Sequence, residues 1–270
     1  MLTVALMTLL TANQPVKPLT WRLGPDLGAT AALVGGWVLS ETVLKNTLAP
    51  AACRWCVTND FDLSVRKAFY PSLQPSPQGE KIADLSSGVV GFAVLPLMLV
   101  GLDAWLMAGA QDEWVSEWAV DILLATEATF AALALNQVVK FSVGRARPFT
   151  VDAPPGLLAQ AVAPSDANLS FFSGHTTLAF GVVASLSTIA SMRGHKAAPL
   201  MWVLGTPVAL VTSLLRIGAD KHWASDVLLG ALVGTAFCIG VPLLFHAPVD
   251  QRVSLRLVPF GQGAMLTGTF

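Results

Sequence analysis

Residues 85–108 read LSSGVVGFAVLPLMLVGLDAWLMA, a run in which the first charge is Asp103. A helix crossing the hydrocarbon of a bilayer needs roughly 20 mainly apolar residues, and this run supplies them. It lacks period-two alternation and is too long for a barrel strand, so a helix is the remaining way to satisfy its backbone inside a membrane. Five further runs share its character: 27–48, with Glu41 and Lys45 near its end; 118–139, with Asp121 and Glu127; 174–192, headed by His175; 197–215; and 227–246. The 270 residues are 54% hydrophobic and only 12% charged, with a mean hydropathy of +0.62, where a soluble domain carries about 25% charge. The expected fold is all-α: a six-helix transmembrane bundle over 27–246, preceded by a 1–26 flank and followed by a 247–270 tail.

The flanks carry weaker signals. Residues 1–12 are apolar, lack a preceding Lys or Arg and are too short to span; they read either as a weak signal segment ending near Ala12 or as a flank lying in the interface. Residues 51–84, with Pro71, Pro75 and Pro77, read as a polar loop. The tail alternates apolar and polar residues around Pro259-Phe260-Gly261 and is expected to form a short hairpin. A formal net charge of −1 indicates neither nucleic-acid binding nor an acidic tail. Three cysteines are too few for a disulfide scaffold. Cys53 and Cys56, around Arg54-Trp55, suit a local disulfide or two inert thiols better than a zinc site, which needs four ligands, and Cys238 reads as packing.

Polar residues gather at the ends of the last four runs. Lys140, Arg145, Arg147 and Pro148 follow the third, Ser173, Gly174 and His175 open the fourth, and Arg216, His222 and Asp226 join the fifth to the sixth. Two crossings separate the last two groups, so all three fall at one membrane face. Singly, such cations are ordinary interfacial anchors; together they suit a phosphate. Lys140, Arg147 and Arg216 are cationic donors, and the N–H groups of Gly174 and His175 at a helix N-terminus add a positive dipole end. Gly174 lets the backbone approach an anion, Ser173 caps the helix and offers a hydroxyl, and Pro148 stiffens the turn that aims Arg147. His222 and Asp226 are four apart. On one helix face the carboxylate would take a hydrogen bond from one ring nitrogen and leave the other as a nucleophile. His175, beside the same anion, is placed to protonate a leaving oxygen. A structural His/Asp pair and a capping histidine are the alternatives that each group, alone, leaves open.

Lys140-x6-Arg147-Pro148, Ser173-Gly174-His175 and Arg216-x5-His222-x3-Asp226 resemble, in order and spacing, the three-part signature of the type-2 phosphatidic acid phosphatase family, whose site is shared with vanadium haloperoxidases. The resemblance spans residues 85–246. It implies that His222 is the nucleophile and forms a phosphohistidine, that Asp226 orients it, and that His175 is the general acid and base. It further implies that Lys140, Arg147, Ser173, Gly174 and Arg216 hold the phosphate, with no metal and no cofactor. Two positions depart from the pattern: Leu215 stands where Ser often precedes the Arg, and Phe172 where Pro often precedes the Ser.

The implied activity is an integral-membrane lipid phosphatase, acting on a phosphomonoester or diphosphate of the isoprenoid diphosphate, phosphatidic acid, phosphatidylglycerol phosphate or lipid A type. A lipid phosphotransferase using the same histidine and a non-catalytic lipid-phosphate-binding membrane protein are the alternatives; six spans leave a haloperoxidase without a rationale. The expected partners are a lipid phosphate and the membrane, with no nucleic acid, and the sequence names no oligomeric state. The expected location is a bacterial inner membrane with the site on the periplasmic side. An N-terminus kept in the cytoplasm places 51–84 and all three groups outside and the short loop with Arg193 and Lys196 inside, whereas cleavage near Ala12 inverts every loop. Asp103, Asp121 and Glu127 either support the site or pair within the bundle. Phe149, Phe171, Phe172 and Trp223 border a lipid entrance or belong to an aromatic belt.

Overall fold

Eleven of the nineteen residues of 174–192 are Gly, Ala, Ser or Thr. Inside a membrane, helices associate through close packing and interhelical hydrogen bonds, so a helix of small residues belongs where neighbours crowd it most. The computed structural model, which describes residues 16–73, 77–110, 113–151, 166–248, 254–260 and 263–269, places this helix at the centre. Among those residues six helices are long and apolar enough to cross a membrane: α1 (Leu23–Leu48), α3 (Glu80–Ala108), α4 (Trp114–Val143), α5 (Gly174–Met192), α6 (Ala198–Gly218) and α7 (Ala224–His246). A further helix, α2 (Asp60–Leu73), lies between the first two spans. The central α5 packs against α3, α4, α6 and α7, and most of its residues are buried. Side chains such as Leu97, Val203 and Leu228 point outward and are exposed, as the lipid face of a bundle requires.

Two glycines set the closest approach. A Cβ on Gly230 of α7 would lie 2.7 Å from the Ser173 carbonyl oxygen, and one on Gly234 would lie 2.4 Å from that of Thr177. Four residues apart, they form a groove into which the first turns of α5 settle.

The expected loop at 51–84 is corrected to helix over much of its length. Asn59 caps α2, its side chain accepting from the Asp62 N–H at 2.8 Å, and Asp60 and Asp62 sit in the first turn where the helix dipole favours acid. Pro77 begins the helical segment that continues into α3, a position where a missing N–H costs nothing. The tail forms the expected hairpin, with β1 (Ser254–Phe260) antiparallel to β2 (Gly263–Thr269). The 1–12 segment, Pro75 and Gly261 lie outside the described residues.

Counting crossings puts the loop between α5 and α6 at the end of the bundle opposite the three polar groups. There Arg193, 1% exposed, donates to Asp121 at 2.6 and 2.9 Å and to Glu117 at 2.6 Å. Asp121 therefore pairs within the bundle. Glu127 stands 3.6 Å from His246. Asp103 is fully buried, and neither of its carboxylate oxygens has a hydrogen-bond partner among the described residues.

Candidate active site

The last two turns of α4 carry Asn136 and Lys140, four apart and so on one face. The helix stops at Gly144, whose φ of +59° is a left-handed cap that glycine adopts without strain. A short extended segment then leads to Arg147 and a 3₁₀ turn, Pro148–Thr150. Ser173 caps α5, its hydroxyl accepting from the Thr176 N–H at 3.4 Å and the Thr176 hydroxyl at 3.1 Å. Its own N–H donates to the Asp226 carbonyl at 3.0 Å, which joins the second polar group to the third. Between α6 and α7 the chain turns sharply at Asp220, with φ of +55°. The N–H groups of Lys221 and His222 return to the Arg216 carbonyl at 3.2 and 3.3 Å.

These turns bring Lys140, Arg147, Gly174, His175, Arg216 and His222 to one cavity of about 310 Å³. Ser173 and Asp226 are fully buried beside it and are not among its lining residues. A Cβ on Gly174 would lie 3.0 Å from Asn136 Oδ1 and 3.4 Å from Lys140 Nζ, so a side chain there would fill the space in front of the lysine. The Lys140 carbonyl accepts from the Gly144 N–H at 3.1 Å, while its ammonium has no hydrogen-bond partner among the described residues. Arg147 donates to the Asp166 carbonyl at 2.8 Å, the Asp166 carboxylate at 3.0 Å and the Lys221 carbonyl at 3.1 Å. Arg216 donates to Asp84, in a short ion pair, and to Ser87 Oγ at 3.0 Å, while its Nε has no partner among the described residues. The imidazole of His175 meets the ring of Phe92 edge-on, with centroids 4.9 Å apart.

His222 departs from the expected arrangement. It lies two residues ahead of α7, not on a helix face with Asp226, and its Nδ1 is 3.7 Å from the nearest Asp226 oxygen. The Asp226 carboxylate is engaged elsewhere: it accepts from the Trp223 N–H at 2.9 Å, the Ser170 hydroxyl at 2.5 Å and Arg145 at 2.5 Å. Nδ1 instead meets the Ser170 carbonyl at 2.8 Å. A carbonyl only accepts, so Nδ1 carries the proton and Nε2 keeps its lone pair. Burial, followed by the charges of Arg147, Arg216 and Lys140, holds the imidazole well below its ordinary 6.5. The ring is therefore neutral at physiological pH.

Sequence reading missed several residues of this cavity. Asn136, with Nδ2 donating to the Phe172 carbonyl at 2.7 Å and Oδ1 buried without a partner among the described residues, was legible as the residue one turn before Lys140. Lys221 lines the cavity beside His222; burial lowers its ammonium from the ordinary 10.5, with Asp84 opposing. Glu41 and Lys45 of α1 reach it as an i,i+4 pair at 3.1 Å, and Lys45 continues to Asp166 at 2.9 Å. Burial opposes ionisation of Asp166, but Arg147 and Lys45 outweigh it and hold the carboxyl well below the ordinary 3.8. Cys53 and Cys56 form a disulfide, and Cys238 is free and buried.

The stretch that holds these residues is similar to known proteins. The family model of the PAP2 superfamily matches residues 121–250, a span that includes all three polar groups. An undecaprenyl-diphosphatase from Sulfolobus acidocaldarius is 31% identical over 105 residues, covering 38% of this chain and 45% of the relative. A lipid A 1-phosphatase from Porphyromonas gingivalis is 37% identical over 95 residues, 35% of this chain and 17% of the relative. The chain thus spans less than half the length of these curated relatives. Among solved structures, a transmembrane PAP2 type phosphatidylglycerolphosphate phosphatase from Bacillus subtilis aligns with a TM-score of 0.48 at 19% identity, over 78% of this chain and 93% of that one. Residues 121–250, 130 of the 270, thus match the PAP2 superfamily model, and the motif residues of that stretch gather at one cavity.

Proposed function

We propose that this protein is a metal-independent lipid phosphatase working through a phosphohistidine. The observation that carries the reading is the state of His222: a neutral ring, pinned through Nδ1 to the Ser170 carbonyl, in a cavity that also holds Lys140, Arg147 and Arg216. Nε2 attacks phosphorus, and the bond from phosphorus to the lipid oxygen breaks. His175 gives its proton to the departing oxygen, then takes one from water as that water attacks the phosphohistidine. The phosphorus–nitrogen bond breaks, free phosphate leaves, and both histidines return to their starting states. Lys140, Arg147, Arg216 and the α5 N-terminus carry the charge that builds on the phosphoryl oxygens. Asp226 acts on His222 through Ser170, whose hydroxyl it accepts and whose carbonyl holds the ring.

A lipid-borne phosphate is favoured by what adjoins the cavity. Phe92 belongs both to the polar cavity and to an apolar one of about 240 Å³, bordered by residues such as Val100, Ile122, Phe130 and Val182 of α3, α4 and α5. A head group at His222 and a hydrocarbon chain beside Phe92 suit a phosphomonoester or diphosphate of a glycerolipid, an isoprenoid or lipid A. The site is assigned to the periplasmic side of a bacterial inner membrane. The Cys53–Cys56 disulfide at the same end suits an oxidising compartment, and Arg193 and Lys196 occupy the short opposite loop.

The test is inorganic phosphate release by the purified protein in detergent from phosphatidic acid, phosphatidylglycerol phosphate, undecaprenyl diphosphate and lipid A. Release is expected to survive EDTA and to be inhibited by vanadate. Turnover that requires a second lipid as acceptor would make the protein a phosphotransferase, and binding without turnover would make it a lipid-phosphate-binding protein.

A further inference from the structure

The Cys53–Cys56 turn, which the phosphate chemistry leaves unused, lies against Arg145. The disulfide closes Arg54 and Trp55 into a four-residue turn laid along the end of α4. The Arg54 N–H donates to the Gly144 carbonyl at 2.9 Å, the Ala146 N–H donates to the Trp55 carbonyl at 3.1 Å, and the Arg54 side chain donates to the Ser142 carbonyl at 2.9 Å. Trp55 and Arg145 thereby pair as neighbouring backbones. The Arg145 guanidinium carbon sits 4.2 Å from the Trp55 ring centroid, in cation–π range. Beneath the ring Arg145, 1% exposed, donates to Asp226 at 2.5 Å, Asp62 at 2.7 Å and the Ser225 hydroxyl at 2.8 Å. Asp226 in turn holds Ser170, and the Ser170 carbonyl holds His222.

Each link has a physical reason to matter. Asp62 and Asp226 are buried carboxylates sharing one guanidinium; without it each is a desolvated charge facing another of like sign. Trp55 shields that cluster from water, yet it is itself 37% exposed, so burial alone does not fix its place. The closed turn and its backbone bonds to Gly144 and Ala146 do.

We propose that Trp55, held by the Cys53–Cys56 turn, and Arg145 beneath it are positioning residues for the attacking histidine, so that full turnover requires the disulfide to be closed. This rests on the lipid phosphatase reading. It makes a distinctive kinetic demand. Gly174 and Arg216 reach the phosphate from α5 and α6, which the turn does not touch, so a displaced His222 lowers kcat and leaves KM in place. General loosening of residues 144–148 would instead carry Arg147 away and raise KM.

The experiment uses the full-length protein in detergent, with p-nitrophenyl phosphate and the best lipid phosphate. Wild type is compared before and after dithiothreitol, alongside Trp55→Leu, Trp55→Phe, Arg145→Lys and the double variant Cys53→Ser/Cys56→Ser. Misplacement of a reacting group by about 1 Å costs on the order of a hundredfold, so reduction and Trp55→Leu are expected to lower kcat by about ten- to a hundredfold with KM nearly unchanged. Trp55→Phe, which keeps an aromatic face, retains most activity. Arg145→Lys, which keeps the charge but loses the fork, falls with Trp55→Leu, and reoxidation restores reduced wild type. Because reduction acts on protein already folded, the test stands even where the double serine variant does not fold. Unchanged kcat after reduction and in Trp55→Leu, or KM rising in step with the loss, overturns the proposal while the phosphatase reading stands. A wild type inactive on every phosphate overturns that reading and the proposal with it.

Discussion

His222 and His175 face one cavity and are held in different ways. Ser170 fixes the ring of His222, whereas among the described residues His175 has an edge contact with Phe92 and no hydrogen bond. A fixed ring suits attack along one line; a looser one suits moving a proton first to one oxygen and then from another. In the proposed mechanism, replacing His222 removes the nucleophile, so His222→Ala is expected to lose nearly all turnover whatever the leaving group. Replacing His175 in that mechanism removes a proton donor, and the loss grows with the basicity of the departing oxygen. His175→Ala is therefore expected to keep far more of the wild-type rate on p-nitrophenyl phosphate or a lipid diphosphate than on an alkyl phosphomonoester. Rates on the three substrates, with acid quenching to trap phosphoenzyme in the His175 variant, check this. Equal losses in both variants on all three would remove the division of roles.

At the level of elements, the site depends on how tightly α7 sits on α5, since one carries Asp226 just behind His222 and the other opens with Gly174 and His175. Any side chain at Gly234 meets the backbone of Thr177, which has no flexible end to move aside. Gly234→Ala is expected to destabilise the bundle by about 1–3 kcal/mol, as overpacking does, and to lower kcat as the helices part. Thermal melting in detergent and steady-state kinetics measure both effects. The spans themselves were legible because charge-free length is a strong signal, and 174–192 was delimited to the residue by a capping serine and the charge of Arg193 beyond it. Helix α2 was not. Its Asn59 cap was present in the sequence, but three nearby prolines argued against it; of these Pro77 falls at a helix start, where proline is tolerated, and Pro71 sits in the last turn of α2. The His222/Asp226 pair failed for a related reason: a spacing of four implies one face only when both residues are helical, and α7 begins at Ala224.

For the whole molecule, contacts between distant segments decide the rest, and none of these was readable from spacing. Arg145 meets Asp62 across 83 positions, and Arg66 clasps Asp220 across 154. Such links also set the response to acid. Burial and cations hold His222 below 6.5, and hydrogen bonds from Ser225 and Arg145 outweigh burial to hold Asp62, like Asp166, below 3.8. In each case the unfolded chain binds the proton more tightly, so protonation favours unfolding. Stability is expected to be full above pH 6.5, to fall below it as the unfolded histidine charges, and to fall again below about 3.8. Melting temperature against pH checks the sign, and His222→Phe should shrink the first decline without abolishing it, because burial and Arg193 also hold His195 below 6.5. The assigned orientation predicts that a membrane-impermeant amine reagent on intact cells labels Lys81 and spares Lys196; the reverse pattern would invert the protein in its membrane. Asp166 on Arg147 and Asp84 on Arg216 give two of the cavity's cations carboxylate partners from the protein itself. Capture of a phosphate is then an exchange of counter-ions, and its expulsion is the same exchange run backwards. The protein carries its own competitors for its product, which suits a catalyst whose substrate is crowded around it in two dimensions while the product must leave into water.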